Sequence, residues 1–152
     1  MPARIVAPTW FTIAAVILLL WNLVGAYACI QQFRLGAEAY APTTAYDRAL
    51  FASMPWWYNW NFALAEVAGI GGCIALLARN RVATPLFVLS LLCVIVQYGY
   101  LFASTDLIAH KGVGTIYFPL FIAAVCVSQV WLALTGRRRG WLQGERRAVP
   151  AL

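Results

Sequence analysis

The sequence predicts an all-α fold: an integral-membrane, up-down-up-down four-helix bundle with a short helix in the first outer loop. Three observations predict it. Of 152 residues, 63% are hydrophobic and only 11% charged, whereas a soluble domain carries about 25% charged residues. Mean hydropathy is +0.76. Four apolar stretches approach or exceed the roughly 20 residues that cross about 30 Å of hydrocarbon as helix. These proportions exclude an ordinary soluble enzyme, a disordered tail and a disulfide-rich secreted module. The whole chain, 1–152, reads as one membrane domain.

The first span runs from about Trp10 to Ile30 and is interrupted by Asn22. It is longer than the apolar region of a signal peptide, about 7–15 residues, and so counts as a span. The second runs from about Trp56 to Ala78 and contains one acid, Glu66. The third covers about Pro85 to Phe102, with Thr84 as N-cap and Pro85 at the first helical position. The fourth covers about Tyr117 to Leu134, with Gly136 as C-cap and a basic tail over 135–152. Arg79-Asn80-Arg81 makes the second link very short, so spans two and three are antiparallel neighbours.

Orientation follows from the distribution of lysine and arginine. One side holds Arg4, Arg79, Arg81, Arg137, Arg138, Arg139, Arg146 and Arg147; the other holds only Arg34, Arg48 and Lys111. The richer side is expected to be cytoplasmic, with both termini inside a bacterial inner membrane. Glu38, Asp47 and Asp106 balance the three outer bases, so the net charge of +6 comes from the inner face. Basic residues flank apolar runs and form no interleaved nucleic-acid face; the lipid bilayer is the expected partner.

In the first outer loop, Thr44 precedes Asp47 at capping-box spacing, and Pro42 and Pro55 bracket the segment. A helix is expected over about Ala45–Ser53, with Leu50, Phe51 and Met54 on the membrane surface or over the bundle. In the second, Ser104 or Thr105 caps a turn that carries Asp106 and His110 four apart, on one face. A metal there needs a third ligand, such as Asp47 or Glu38; a solvated ion pair is the plainer reading, and no metal site is assigned.

All seven tyrosines fall in the outer half, joined by Trp56, Trp57 and Trp60. An interfacial belt accounts for much of this. Rings with polar handles can also stack on a sugar or a headgroup. The four cysteines lie in the spans without metal spacing and read as small apolar packers. No phosphate loop, catalytic triad or haem-type histidine pair appears, so no catalytic residue and no cofactor is assigned, and the chain does not read as an enzyme.

Glu66 sits ten residues, about 15 Å, from the outer end of its span, near the midplane. A charge there costs a few kcal/mol or more, so it faces the bundle interior. Asn22 is the best depth-matched partner, at about 12 Å by the same rise. Small residues at Ala65-Gly69 and Ala68-Gly72 let another helix approach closely. If Glu66 couples to protons or solute, Asn22 and Gln97 line the route, and Tyr98 and Trp60 supply aromatic contacts. If it only packs, it is a hydrogen-bonded glutamate in a structural helix.

Around Ala65-Glu66-Val67-Ala68-Gly69 through Leu76-Leu77, span two resembles the second helix of DoxX-type four-span proteins. Trp57-Tyr58-Asn59-Trp60, with the run from Ser104 to Gly112, resembles short four-span alphaproteobacterial proteins often labelled sugar transporters. The second likeness covers most of the chain. It implies an inner-membrane protein and favours transport, without assigning binding residues. The Pro-Gln motif of half-size sugar transporters is absent. Three functions follow as expectations. The first is a small-solute transporter, with sugar as one candidate solute, acting as a homo-oligomer because four spans make a thin bundle. The second is an accessory subunit of a larger membrane complex. The third is a DoxX-like lipid- or quinone-associated partner.

Overall fold

The computed structural model describes residues 6–40 and 42–143. They form α1 (Thr9–Leu35), α2 (Ala45–Ala52), α3 (Trp57–Leu77), α4 (Ala83–Ser104), α5 (Leu107–Lys111) and α6 (Tyr117–Arg138). Two 3-10 turns, Gly36–Tyr40 and Val113–Ile116, complete the connections. Four helices, α1, α3, α4 and α6, are long and apolar enough to cross a membrane. The protein is an up-down-up-down membrane bundle. Its α2 and α5 meet at one end, the loop end; the other is the terminal end. Arg4, Arg146 and Arg147 of the charge count, and the tail beyond Gln143, lie outside the described residues.

Helix α3 packs against both α1 and α4, and α4 packs against α6. Between α1 and α6 the contact is made by side chains, with Trp21 edge-on to Phe121 at 5.3 Å. The main core lies at the terminal end, where Phe11, Leu76, Phe87 and Leu142 are fully enclosed. Toward the loop end the buried apolar cluster is smaller, made of Ala65, Cys93, Val94 and Cys126, with Cys29, Gln32, Tyr58 and Gln97 buried around it. Packing is therefore dense in one half of the bundle and open in the other.

The expected helix in the first loop is present. Thr44 and Asp47 form a reciprocal capping box, which satisfies two otherwise orphaned backbone donors. Phe51 of this helix rests against Gly36 at the end of α1.

Several helix ends differ from the sequence reading. Helix α1 runs five residues past Ile30, to Leu35. Helix α4 begins at Ala83, and Thr84 does not cap it; the Asn80 side-chain oxygen accepts the Val82 N–H instead, at 2.9 Å. Pro85 still falls in the first turn, where its missing N–H costs nothing. At α5 the N-cap position is Asp106, while the expected capping contact is made from one residue earlier: Thr105 Oγ1 accepts the Leu107 N–H at 3.4 Å. Gly136 is not a C-cap. It lies buried inside α6, where a Cβ would meet Phe11 at 2.8 Å and Leu142 at 3.2 Å.

Helix α6 ends at the C-cap Arg139, and Gly140 follows it at φ +72°. Trp141 N–H reaches Gly136 O at 2.8 Å and Gly140 N–H reaches Arg137 O at 3.2 Å, which is a Schellman motif. The turn sends the chain back under the bundle, burying Trp141 and Leu142 against the core. Gln143 N–H then donates to Arg79 O at 2.6 Å, and Arg81 N–H donates to Gln143 O at 3.3 Å. Residues 140–143 are thus a strap on the α3–α4 turn, where the sequence reading had only a basic tail.

Candidate ligand cavity in the loop-end half

Where α1 and α6 diverge, a cavity of about 520 Å³ opens among the four spans. Such a volume lies within the usual range for small-molecule sites, about 300–1,000 Å³. Helix α1 contributes Trp21, Val24, Gly25, Ala28 and Gln32; α3 contributes Tyr58, Phe62, Ala65 and Glu66. Helix α4 adds Val94, Gln97, Tyr98 and Leu101, and α6 adds Phe118 and Ile122. Val24 and Phe118, on the two diverging helices, are 64% and 63% exposed, so the mouth lies between α1 and α6. In a bilayer that mouth faces lipid.

Among the described residues Glu66 is the only Asp or Glu lining the cavity, and no Lys, Arg or His faces it. The side chain is half-buried, and its carboxyl lies against the backbone of Gly25. A Cβ on Gly25 would stand 2.5 Å from both carboxyl oxygens, so glycine there makes the room the acid uses. Among the described residues no donor hydrogen-bonds the carboxyl.

Asn22 does not pair with Glu66. Its amide nitrogen donates to Leu18 O at 2.7 Å and to Cys73 Sγ at 3.6 Å, and its side-chain oxygen presses on Gly69. The longer α1 is the cause. Measured from the true helix ends, Gly25 is ten residues from Leu35 and Glu66 is nine from Trp57, both roughly 14–15 Å deep. Asn22 lies nearly a turn deeper and serves the α1–α3 contact. Its tight seat on Gly69 uses the small-residue stripe seen in the sequence.

Gln97 and Tyr98 both line the cavity. The Gln97 side-chain oxygen accepts from Asn61 Nδ2 at 2.8 Å, and the same amide reaches Cys93 O at 2.9 Å. Trp60 does not line it. It is exposed on the outside of α3, edge-on to Phe33 at 5.3 Å. The structure therefore brings Glu66, Gln97 and Tyr98 to one space and leaves Asn22 and Trp60 outside it. The sequence reading had not singled out Trp21, Gly25, Phe62 or Phe118. Gly25 carried a signal in its depth, which became visible only once the end of α1 was placed.

Above the cavity, α2 and α5 are clasped. Lys111 pairs with Asp47, and Tyr46 donates to Asp106 at 2.6 Å while its ring stacks on His110 at 4.0 Å. Arg48 and Glu38 form a second pair at 2.5 Å. The Lys111 ammonium, helped by the Thr44 N–H and hydroxyl, holds the Asp47 carboxyl far below its ordinary range. The Tyr46 hydroxyl lowers Asp106, and Asp106 in turn pushes Tyr46 up to about 12. Each of the four side chains once considered for a metal is engaged in this way, and among the described residues no three His, Cys, Asp or Glu converge on one point.

No protein-family model, no curated protein and no solved structure matches the chain. What the site can do is argued from its own geometry.

Proposed function

We propose that the protein is a small-solute transporter of the bacterial inner membrane that engages its solute against Glu66, in the loop-end half of the bundle. One observation carries this reading: an acid without a hydrogen-bonding partner, held at the wall of a ligand-sized cavity. Ionisable groups within spans are rare because they are costly, and those retained mark solute or ion pathways. A packing role would surround the carboxyl with donors, and Glu66 has none among the described residues. The terminal end is sealed by Phe11, Phe87 and Leu142, as expected of a carrier with its site closed on that side. The basic residues at Arg79, Arg81 and Arg137–Arg139 favour a cytoplasmic terminal end, and with it a cavity that opens in the periplasmic half.

The sealed core, the strap and the clasp also favour a second reading, a rigid accessory subunit of a membrane complex. Mass spectrometry on protein gently extracted from its own membrane separates the two. The transporter reading expects a small molecule that co-purifies with the wild type and is lost from Ala28→Trp, which fills the cavity. Equal retention by both, or co-purification of a protein partner alone, supports the accessory reading.

A further inference from the structure

We propose that the cavity takes a lipophilic organic cation, held by the Glu66 carboxylate and the surrounding aromatic rings. This rests on reading the cavity as a solute site and names the class of solute. Five rings line the space: Trp21, Tyr58, Phe62, Tyr98 and Phe118. Aromatic faces attract cations within about 6 Å, and aromatic cages are a recurring way to hold quaternary ammonium groups.

Charge complementarity selects among the alternatives. Among the described residues the lining holds one acid and no base, so an anion meets repulsion without a counter-charge. A neutral apolar molecule would displace water from Glu66 and leave a polar group unpaired, which is unfavourable. A sugar carries hydroxyls on every face, whereas only Gln32, Tyr58, Glu66, Gln97 and Tyr98 offer polar atoms there. The Gln97 oxygen is already bonded to Asn61, and Gln32 donates to Asn59 at 2.7 Å. A cation with aromatic or aliphatic bulk satisfies both the acid and the rings. A mouth between α1 and α6 suits such a molecule, because lipophilic cations partition into the bilayer.

The test uses two ions of nearly the same shape and opposite charge, tetraphenylphosphonium and tetraphenylborate. Equilibrium dialysis measures each against the full chain in detergent. The cation should bind saturably, and the anion more weakly by about tenfold or more, given the size of close charge-pair couplings. Glu66→Gln should weaken the cation by a similar factor and barely alter the anion. Gly25→Ala provides a second variant that keeps the charge and displaces the carboxyl; its cation affinity should fall between the two. Equal binding of both ions, unchanged in Glu66→Gln, would overturn the cation assignment while leaving a solute cavity. Binding of neither ion would overturn the cation assignment and the solute-site reading together.

Discussion

Arg79 stands where a helix C-terminus usually has glycine. Its φ is +60°, and Asn80 N–H to Ala75 O at 2.8 Å with Arg79 N–H to Leu76 O at 3.1 Å completes a Schellman motif. An L-residue in this conformation carries about 1–2 kcal/mol of strain. The side chain offsets it. Nη2 donates to Thr12 Oγ1 at 2.7 Å, and the guanidinium lies 5.1 Å from the Phe11 ring centroid. The charge-assisted bond contributes about 1.5–3 kcal/mol. The ring contact adds about 0.5–2 kcal/mol. Nη1 is buried without a partner among the described residues, which draws the sum toward its lower end. Arg79→Ala loses these contacts and keeps the strain, a cost of about 2–5 kcal/mol by the same terms. Arg79→Gly loses the same contacts but relieves the strain; a more flexible unfolded chain cancels about 0.4–1 kcal/mol of the relief. The glycine variant should therefore unfold below the wild type and above the alanine variant, by roughly 1 kcal/mol. Thermal unfolding of the three proteins in one detergent measures the order. Glycine equal to alanine would show that the backbone is not strained, and glycine above wild type would show that the side-chain contacts contribute nothing.

Three further outcomes follow. At Gly72 a Cβ would stand 2.6 Å from two ring carbons of Phe87, which is fully buried, whereas at Gly99 it meets nothing within 4 Å. Gly72→Ala should melt lower than the wild type and Gly99→Ala no lower, a separation of about 1–3 kcal/mol from overpacking. The clasp between α2 and α5 should be flat across neutral pH. Its lowered Asp47 and Asp106 contribute stability above their ordinary value of 3.8, lost as pH falls through the depressed folded values. The raised Tyr46 contributes below pH 10 and loses its share as pH rises toward 12. Spin-label distances between α2 and α5 at several pH values would detect the opening, and marked opening between pH 5 and 9 would contradict the assignment. Reporter fusions after Arg81 and Arg139 should read cytoplasmic, and one at Gly112 periplasmic; a periplasmic reading at Arg139 would reverse the orientation.

The architecture was legible because the bilayer leaves few choices. Each span had to be about 20 residues of helix, and the capping box at Thr44 and Asp47 marked α2 by local chemistry alone. Helix ends were less legible where polar residues continue a helix past the hydrocarbon, as from Gln31 to Leu35 in α1. That five-residue extension changed the depth match, so Gly25 rather than Asn22 faces Glu66. The strap was invisible for a related reason. Gly136 looks like a stop in sequence, but its lack of a side chain is used for the close approach of Phe11, and the true stop is Gly140. Glu66 itself was legible from cost alone. Of the rings around it Tyr98 was legible and Trp21, Phe62 and Phe118 were not, because nothing in their spacing marks them until the helices are arranged.

The role of Glu66 is tested most directly by Glu66→Gln in liposomes. The substitution keeps the size and much of the polarity of the side chain and removes its capacity for charge. Among the described residues no hydrogen bond depends on it, so melting in detergent should shift by about 1 kcal/mol or less. Uptake is then measured under an imposed proton gradient with a panel of labelled amines, quaternary cations and sugars. The account predicts that the wild type accumulates at least one of these solutes and that a fully folded Glu66→Gln protein does not. Wild-type uptake by the folded variant would remove Glu66 from the mechanism, and the accessory-subunit reading would replace the transporter.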